Sequence, residues 1–124
     1  MLKIYKTKEK DWLGYKIYRN TPLTRHHIFK RVYGGANDIS NYALLIEQSH
    51  EDLHRIEKID LQAYNELNNL FRELNKSMQP PNEEYYQNVG KILKRVKKIN
   101  SFFLYFIRFY KENVKKLKKF HLMY

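Results

Sequence analysis

Four of the five histidines in this chain fall within residues 23–57, LTRHHIFKRVYGGANDISNYALLIEQSHEDLHRIE, and they come as two tight pairs. His26 and His27 are adjacent. His50 and His54 are four apart, the spacing that places two side chains one above the other on a helix face. Between the pairs lie a glycine turn, Gly34-Gly35, then Asn37-Asp38, then a short apolar run, Tyr42-Ala43-Leu44-Leu45-Ile46. The order reads as strand, loop, strand, helix, with nitrogen donors at both ends. It points to a metal site.

The local signals refine that order. Residues Leu23 to Phe29 read as the first strand, and Lys30, Arg31 and the glycines end it. Residues 41–46 read as a second strand, returned antiparallel by the glycine-containing loop. Neighbours on a regular strand point to opposite faces, so His26 and His27 serve one site only at a strand end or an irregularity. Ser49, with Asp52 three residues on, resembles a capping box. That cap would put His50 in the first turn of a helix and His54 one turn later, with Leu53, Ile56 and Ile59 on its buried side.

On these residues the chain resembles the HNH, or ββα-metal, endonuclease family, in the all-histidine form that lacks zinc-ribbon cysteines. The matching positions are His26-His27-Ile28, Gly34-Gly35, Asn41, Leu44-Leu45, His50 and His54. They span residues 23–57 and leave the rest of the chain unassigned. The resemblance implies that His26, His50 and His54 are metal ligands and that His27 is the general base that activates water. It implies that Asn41 bonds the hairpin backbone and so orients His27. It also implies one divalent metal ion and cleavage of DNA to a 5′-phosphate and a 3′-hydroxyl. The chemistry suits the residue types. Phosphodiester hydrolysis needs a deprotonated water and positive charge near the departing oxygen, and an imidazole exchanges protons near neutral pH. Imidazoles favour zinc, nickel or cobalt by affinity, whereas magnesium prefers oxygen. The identity stays open among zinc, nickel, manganese and magnesium. Read without the family, Gly34-Gly35 is a turn and Asn41 a residue that bonds its local backbone.

Composition sets the outer bounds. The chain has 124 residues, enough for one domain with a modest core, and 43% hydrophobic with 30% charged residues suits a folded chain. The net charge of +11 suits a polyanionic partner, nucleic acid being the commonest. Arg25, Lys30, Arg31 and Arg55 flank the histidines; they either hold phosphates or form solvated surface. A site directed at the backbone sees phosphates in DNA and RNA alike. The absence of cysteine removes disulfides, cysteine catalysis and zinc ribbons. No apolar leader opens the chain and no apolar run is long enough to span a bilayer, so a cytoplasmic protein without membrane contact is expected.

Three regions follow. Residues 1–22 form a basic N-terminal arm with short strand pieces around Gly14, which either touches a nucleic-acid backbone or covers the core. Residues 23–59 form the ββα core. Residues 60–124 are helical. Asp60 caps a helix to about Met78, with Tyr64, Leu67, Phe71, Leu74 and Met78 on one stripe. Pro80-Pro81 breaks it and Asn82 caps the next helix. That last helix is expected over about 83–119, with a heptad seam through Tyr86, Val89, Leu93, Val96, Phe103, Ile107, Tyr110, Val114 and Leu117. Asn100 stands in the seam, a device that fixes register in paired helices. The seam fits a homodimer, or a hairpin against residues 61–78 within one chain. The same helix carries Lys94, Arg95 and Lys98 among many cations, a phosphate-tracking face or a solvated one. The expected protein is therefore α+β, a metal-dependent HNH-type endonuclease acting on DNA. The alternative is a catalytically inactive ββα-metal domain that binds nucleic acid or serves an assembly.

Overall fold

The structure, a computed structural model, describes residues 9–96. Among these residues the chain is α+β. Strand β1 (Leu23–His27) pairs antiparallel with β2 (Tyr42–Ile46), Leu23 opposite Ile46 and His27 opposite Tyr42. β2 runs directly into helix α1 (Glu47–Ile59), and α2 (Leu61–Ser77) follows. A third helix, α3, begins at residue 83 and is described to residue 96.

The hairpin is closed by side chain as much as by backbone. β1 stops at His27, short of the Phe29 that the sequence suggests. Ile28 N–H still donates to the Asn41 carbonyl at 2.9 Å. Beyond it, the Asn41 carboxamide stands in for a strand peptide: Oδ1 accepts from Phe29 N–H at 2.8 Å and Nδ2 donates to the Phe29 carbonyl at 2.8 Å. Nδ2 also donates to the Ala36 carbonyl at 2.9 Å, which ties down the far side of the loop. The two glycines have separate reasons. Gly34 has φ 93°, a left-handed conformation that a side chain resists. Gly35 has no room, because a Cβ there would lie 1.8 Å from the Phe29 carbonyl oxygen.

Helix α1 begins earlier than the capping-box reading places it. Glu47 is its first residue and Ile46 its cap position, so Ser49 lies inside the first turn and is buried. The capping acceptor comes from far away in sequence. Asp11, fully buried, accepts from Ile46 N–H at 3.0 Å and from the Ser49 hydroxyl. It also accepts from Leu13 N–H and Tyr15 N–H, at 3.0 and 2.9 Å. A carboxylate at a helix N-terminus meets the unpaired N–H groups and the positive end of the dipole. Burial pushes the Asp11 carboxyl up, against the pull of these four donors.

Within the described part of the N-terminal arm, Asp11, Trp12 and Leu13 belong to the core, while Lys16 and residues 18–20 are exposed. Residues 10–16 make a tight turn closed by a Lys10–Lys16 bridge, with Gly14 at φ 88°. Trp12 N–H bonds the Leu44 carbonyl on β2 at 3.1 Å, and the Tyr85 hydroxyl of α3 bonds the Trp12 carbonyl. Trp12 and Leu13 are buried with Leu45, Leu53, Leu67, Phe71 and Val89 in one cluster. Full burial of a side chain such as Phe71 contributes about 2–3 kcal/mol.

The two later helices follow their sequence signals with two differences. Asp60 caps α2 as expected, its carboxylate accepting from Ala63 N–H at 3.1 Å. Tyr64, Leu67, Phe71 and Leu74 are buried, but Met78 is exposed because it ends the helix at φ 55°. Asn82 caps α3 through Tyr85 N–H at 2.8 Å. The buried face of α3 is Tyr85, Val89, Ile92 and Val96, turned slightly from the expected seam, so Tyr86 and Leu93 are only partly buried. It joins the α2 cluster within the same chain, and Arg95 pairs with Glu66. Residues 97–119 of the expected long helix, including Lys98 and the seam from Asn100 onward, lie outside the described residues, as do residues 1–8 of the arm. No helix among the described residues is long and apolar enough to cross a membrane.

Candidate metal centre

Alternation along β1 puts Thr24 and His26 on one face and Arg25 and His27 on the other. The first face is covered by helix: His26 lies edge-on to Phe71 and Tyr64 of α2, with centroids 5.9 and 6.3 Å apart. Helix α1 brings His50 and His54 to the same place, and the four-residue spacing sets their rings 4.9 Å apart. His26 stands 5.4 Å from the His50 ring and 5.9 Å from the His54 ring. One nitrogen of each imidazole lies within 4.8 Å of the others, so these three residues could hold a metal ion.

Burial grades across the trio. His26 is 2% exposed, His50 is half-buried and His54 is exposed. Desolvation pushes the His26 pKa down to about 4, the neighbouring imidazoles His50, His54 and His27 adding to the effect and Asn68 opposing it. His50 is lowered for the same first reason, then by His54 and His27. A buried neutral imidazole keeps a lone pair, which is the form that ligates metal. The donor set, all nitrogen and partly sheltered, fits a borderline divalent cation.

Each ring also has a partner on its outer side. Thr24 Oγ1 meets His50 Nδ1 at 3.0 Å, and Asn68 Oδ1 meets His26 Nε2 at 2.9 Å. The Glu57 carboxylate lies 3.6 Å from His54 Nδ1, and its other oxygen pairs with Lys30 at 2.5 Å. Lys30 holds the Glu57 carboxyl below the usual range. Sequence reasoning did not single out Thr24, Asn68 or Glu57. Asn68 did leave a signal, because it interrupts the apolar stripe of α2 between Tyr64 and Phe71, and a buried amide requires a partner.

His27 stays apart from the trio. It is the last residue of β1, and its ring lies edge-on to Tyr42 at 5.3 Å. Its Nε2 meets Asn37 Oδ1 at 3.0 Å, and the same oxygen accepts from the Tyr42 hydroxyl at 2.8 Å. Asn41 reaches the hairpin loop that begins just after His27, as described above. Arg25 lies over the Tyr42 ring at 5.4 Å, on the His27 face.

The flanking cations divide into two groups. Lys30, Arg55 and Arg95 are paired with Glu57, Asp52 and Glu66. Arg25, Arg31 and Lys94 are exposed and have no acidic partner among the described residues. No protein-family model, curated protein or solved structure matches the chain.

Proposed function

We propose that this protein is a metal-dependent endonuclease of the HNH type that hydrolyses phosphodiester bonds of DNA. The observation that carries the reading is the three-imidazole cluster of His26, His50 and His54, with a fourth imidazole one residue along the same strand and outside the cluster.

His26, His50 and His54 would hold the ion. A divalent cation there supplies positive charge for the negative charge that develops as a phosphodiester is cleaved. His27 is the proton acceptor. Asn37 Oδ1 can only accept, so it takes the His27 Nε2–H and leaves Nδ1 as the basic nitrogen. The proton of an attacking water passes to that nitrogen, the water oxygen bonds phosphorus, and the bond from phosphorus to the 3′ oxygen breaks. The 3′ oxygen then takes a proton from solvent. Asn41 positions the loop that carries Asn37, and Arg25, which has no acidic partner among the described residues, offers a cation on the His27 face for a phosphate. The net charge of +11 favours a polyanion over other phosphodiesters. Because such a site addresses the backbone, RNA stands beside DNA as a second polymer to test.

The test is cleavage of supercoiled plasmid by wild type and His27→Ala, across magnesium, manganese, nickel and zinc with a chelator control. Metal-dependent nicking by wild type, lost in His27→Ala while metal binding survives, is the expected result. Plasmid bound by both proteins and cut by neither with any of the metals would overturn it and leave a nucleic-acid-binding or assembly domain.

A further inference from the structure

We infer that the protein fixes the tautomers of His26 and His50 through Asn68 and Thr24, so that His26 meets a divalent cation with Nδ1 and His50 with Nε2. This rests on reading the three-histidine cluster as a metal site.

Thr24 Oγ1 carries one hydrogen and stands 2.8 Å from the Leu45 carbonyl oxygen, which can only accept. Its hydrogen is therefore spent on β2. The contact of the same Oγ1 with His50 Nδ1, at 3.0 Å, then needs a proton from the ring. A neutral imidazole has a single N–H, so His50 is protonated at Nδ1 and keeps its lone pair on Nε2. His26 is set the opposite way. Asn68 Oδ1 is an acceptor 2.9 Å from His26 Nε2, which places the N–H there and the lone pair on Nδ1. Asn68 is itself buried, 7% exposed, so water does not compete freely for the bond. His54 is held less tightly: its Nδ1 is 3.6 Å from Glu57, beyond hydrogen-bond length, and the carboxylate only biases that ring towards Nδ1–H. Two rings are fixed and one is steered.

The arrangement spreads the centre over three elements. Thr24 belongs to β1, His50 to α1 and Asn68 to α2, so the packing of α2 on the hairpin sets which atom His26 offers. Outer partners of this kind commonly change metal affinity by about 10–100-fold when removed, because the ring otherwise divides between tautomers and rotates.

Two measurements test this. A long-range proton–nitrogen correlation spectrum of the metal-free protein near neutral pH should show His26 protonated at Nε2 and His50 at Nδ1. The reverse assignment for either ring, or tautomer exchange in both, would overturn the inference. Zinc affinity, measured by competition with a chromophoric chelator, should fall ~10-fold or more in Thr24→Val and in Asn68→Leu. Thr24→Ser, which keeps the hydroxyl, should bind close to wild type. A purely structural role for Thr24 would lower the unfolding midpoint of Thr24→Val and leave the zinc affinity of the folded protein unchanged, which would also overturn it. Wild type that takes up no zinc, nickel, manganese or magnesium would remove the metal site itself, an outcome distinct from a bound ion that ignores Thr24.

Discussion

Burying His26 beside two other imidazoles makes the metal-free protein sensitive to acid in a defined window. Its folded pKa is about 4, against 6.5 for an unburied histidine. Above 6.5 the ring is neutral in both folded and unfolded chains, and the stability linked to it is fully present. As pH falls from 6.5 towards 4 the unfolded chain takes up a proton that the folded one refuses, so stability is lost. The loss amounts to about 3 kcal/mol by the lower end, at ~1.4 kcal/mol for each pH unit of the gap. His50, lowered in the same direction, steepens the slope. Urea unfolding of the metal-free protein at several pH values should show the midpoint dropping through this range. His26→Gln should flatten the profile while lowering stability at neutral pH. A wild-type midpoint that does not move between pH 6.5 and 4 would contradict the buried neutral ring.

The hairpin loop is where an element's own geometry can be tested. Gly34→Ala meets open space and only has to bear a φ of 93°. That strain costs roughly 1–2 kcal/mol. Gly35→Ala meets the Phe29 carbonyl oxygen at 1.8 Å and backbone carbons of Phe29 and Lys30 within 2.9 Å, so the loop must move. We expect ~3 kcal/mol or more for that change, together with loss of the Asn41 bonds to Phe29 and Ala36. Thermal unfolding of the two variants ranks them, and equal losses would refute the distinction. The same elements mark how far sequence reasoning reaches. The glycine pair announces a turn, but which glycine needs its φ and which needs its missing Cβ depends on where Phe29 returns. Likewise the start of α1 was not legible from Ser49 and Asp52. Its acceptor, Asp11, lies 35 residues before Ile46 and 38 before Ser49, beyond the reach of any local pattern. The caps at Asp60 and Asn82 were legible because each bonds an N–H three residues on.

Across the whole molecule, spacing alone pairs His50 with His54 on one helix face, and that His26 rather than His27 joins them is implied only by the family resemblance. Their outer partners were not legible from sequence, since Asn68 reaches His26 across 42 residues. Nor does composition reveal that Trp12 and Leu13 sit in the core while Lys30, Arg55 and Arg95 are occupied by acids. These long connections predict how an ion should act on the fold. Its candidate ligands belong to β1 and α1, and Asn68 links β1 to α2, so an ion bound to the native state but not to the unfolded chain would hold three elements in register. Zinc at ~100 times its dissociation constant should raise the unfolding free energy by about 3 kcal/mol, and a chelator should reverse the rise. His54→Ala separates binding from folding. The ring is exposed, so its removal should change the metal-free stability by no more than ~0.5 kcal/mol. It offers one of the three nitrogens that could hold the ion, so the increment from zinc should shrink sharply. Denaturant unfolding of both proteins, with zinc and with chelator, reads the two quantities separately. If zinc stabilised His54→Ala as much as wild type, the ion would have to bind elsewhere, and the cluster would be a packing arrangement of imidazoles rather than a metal centre.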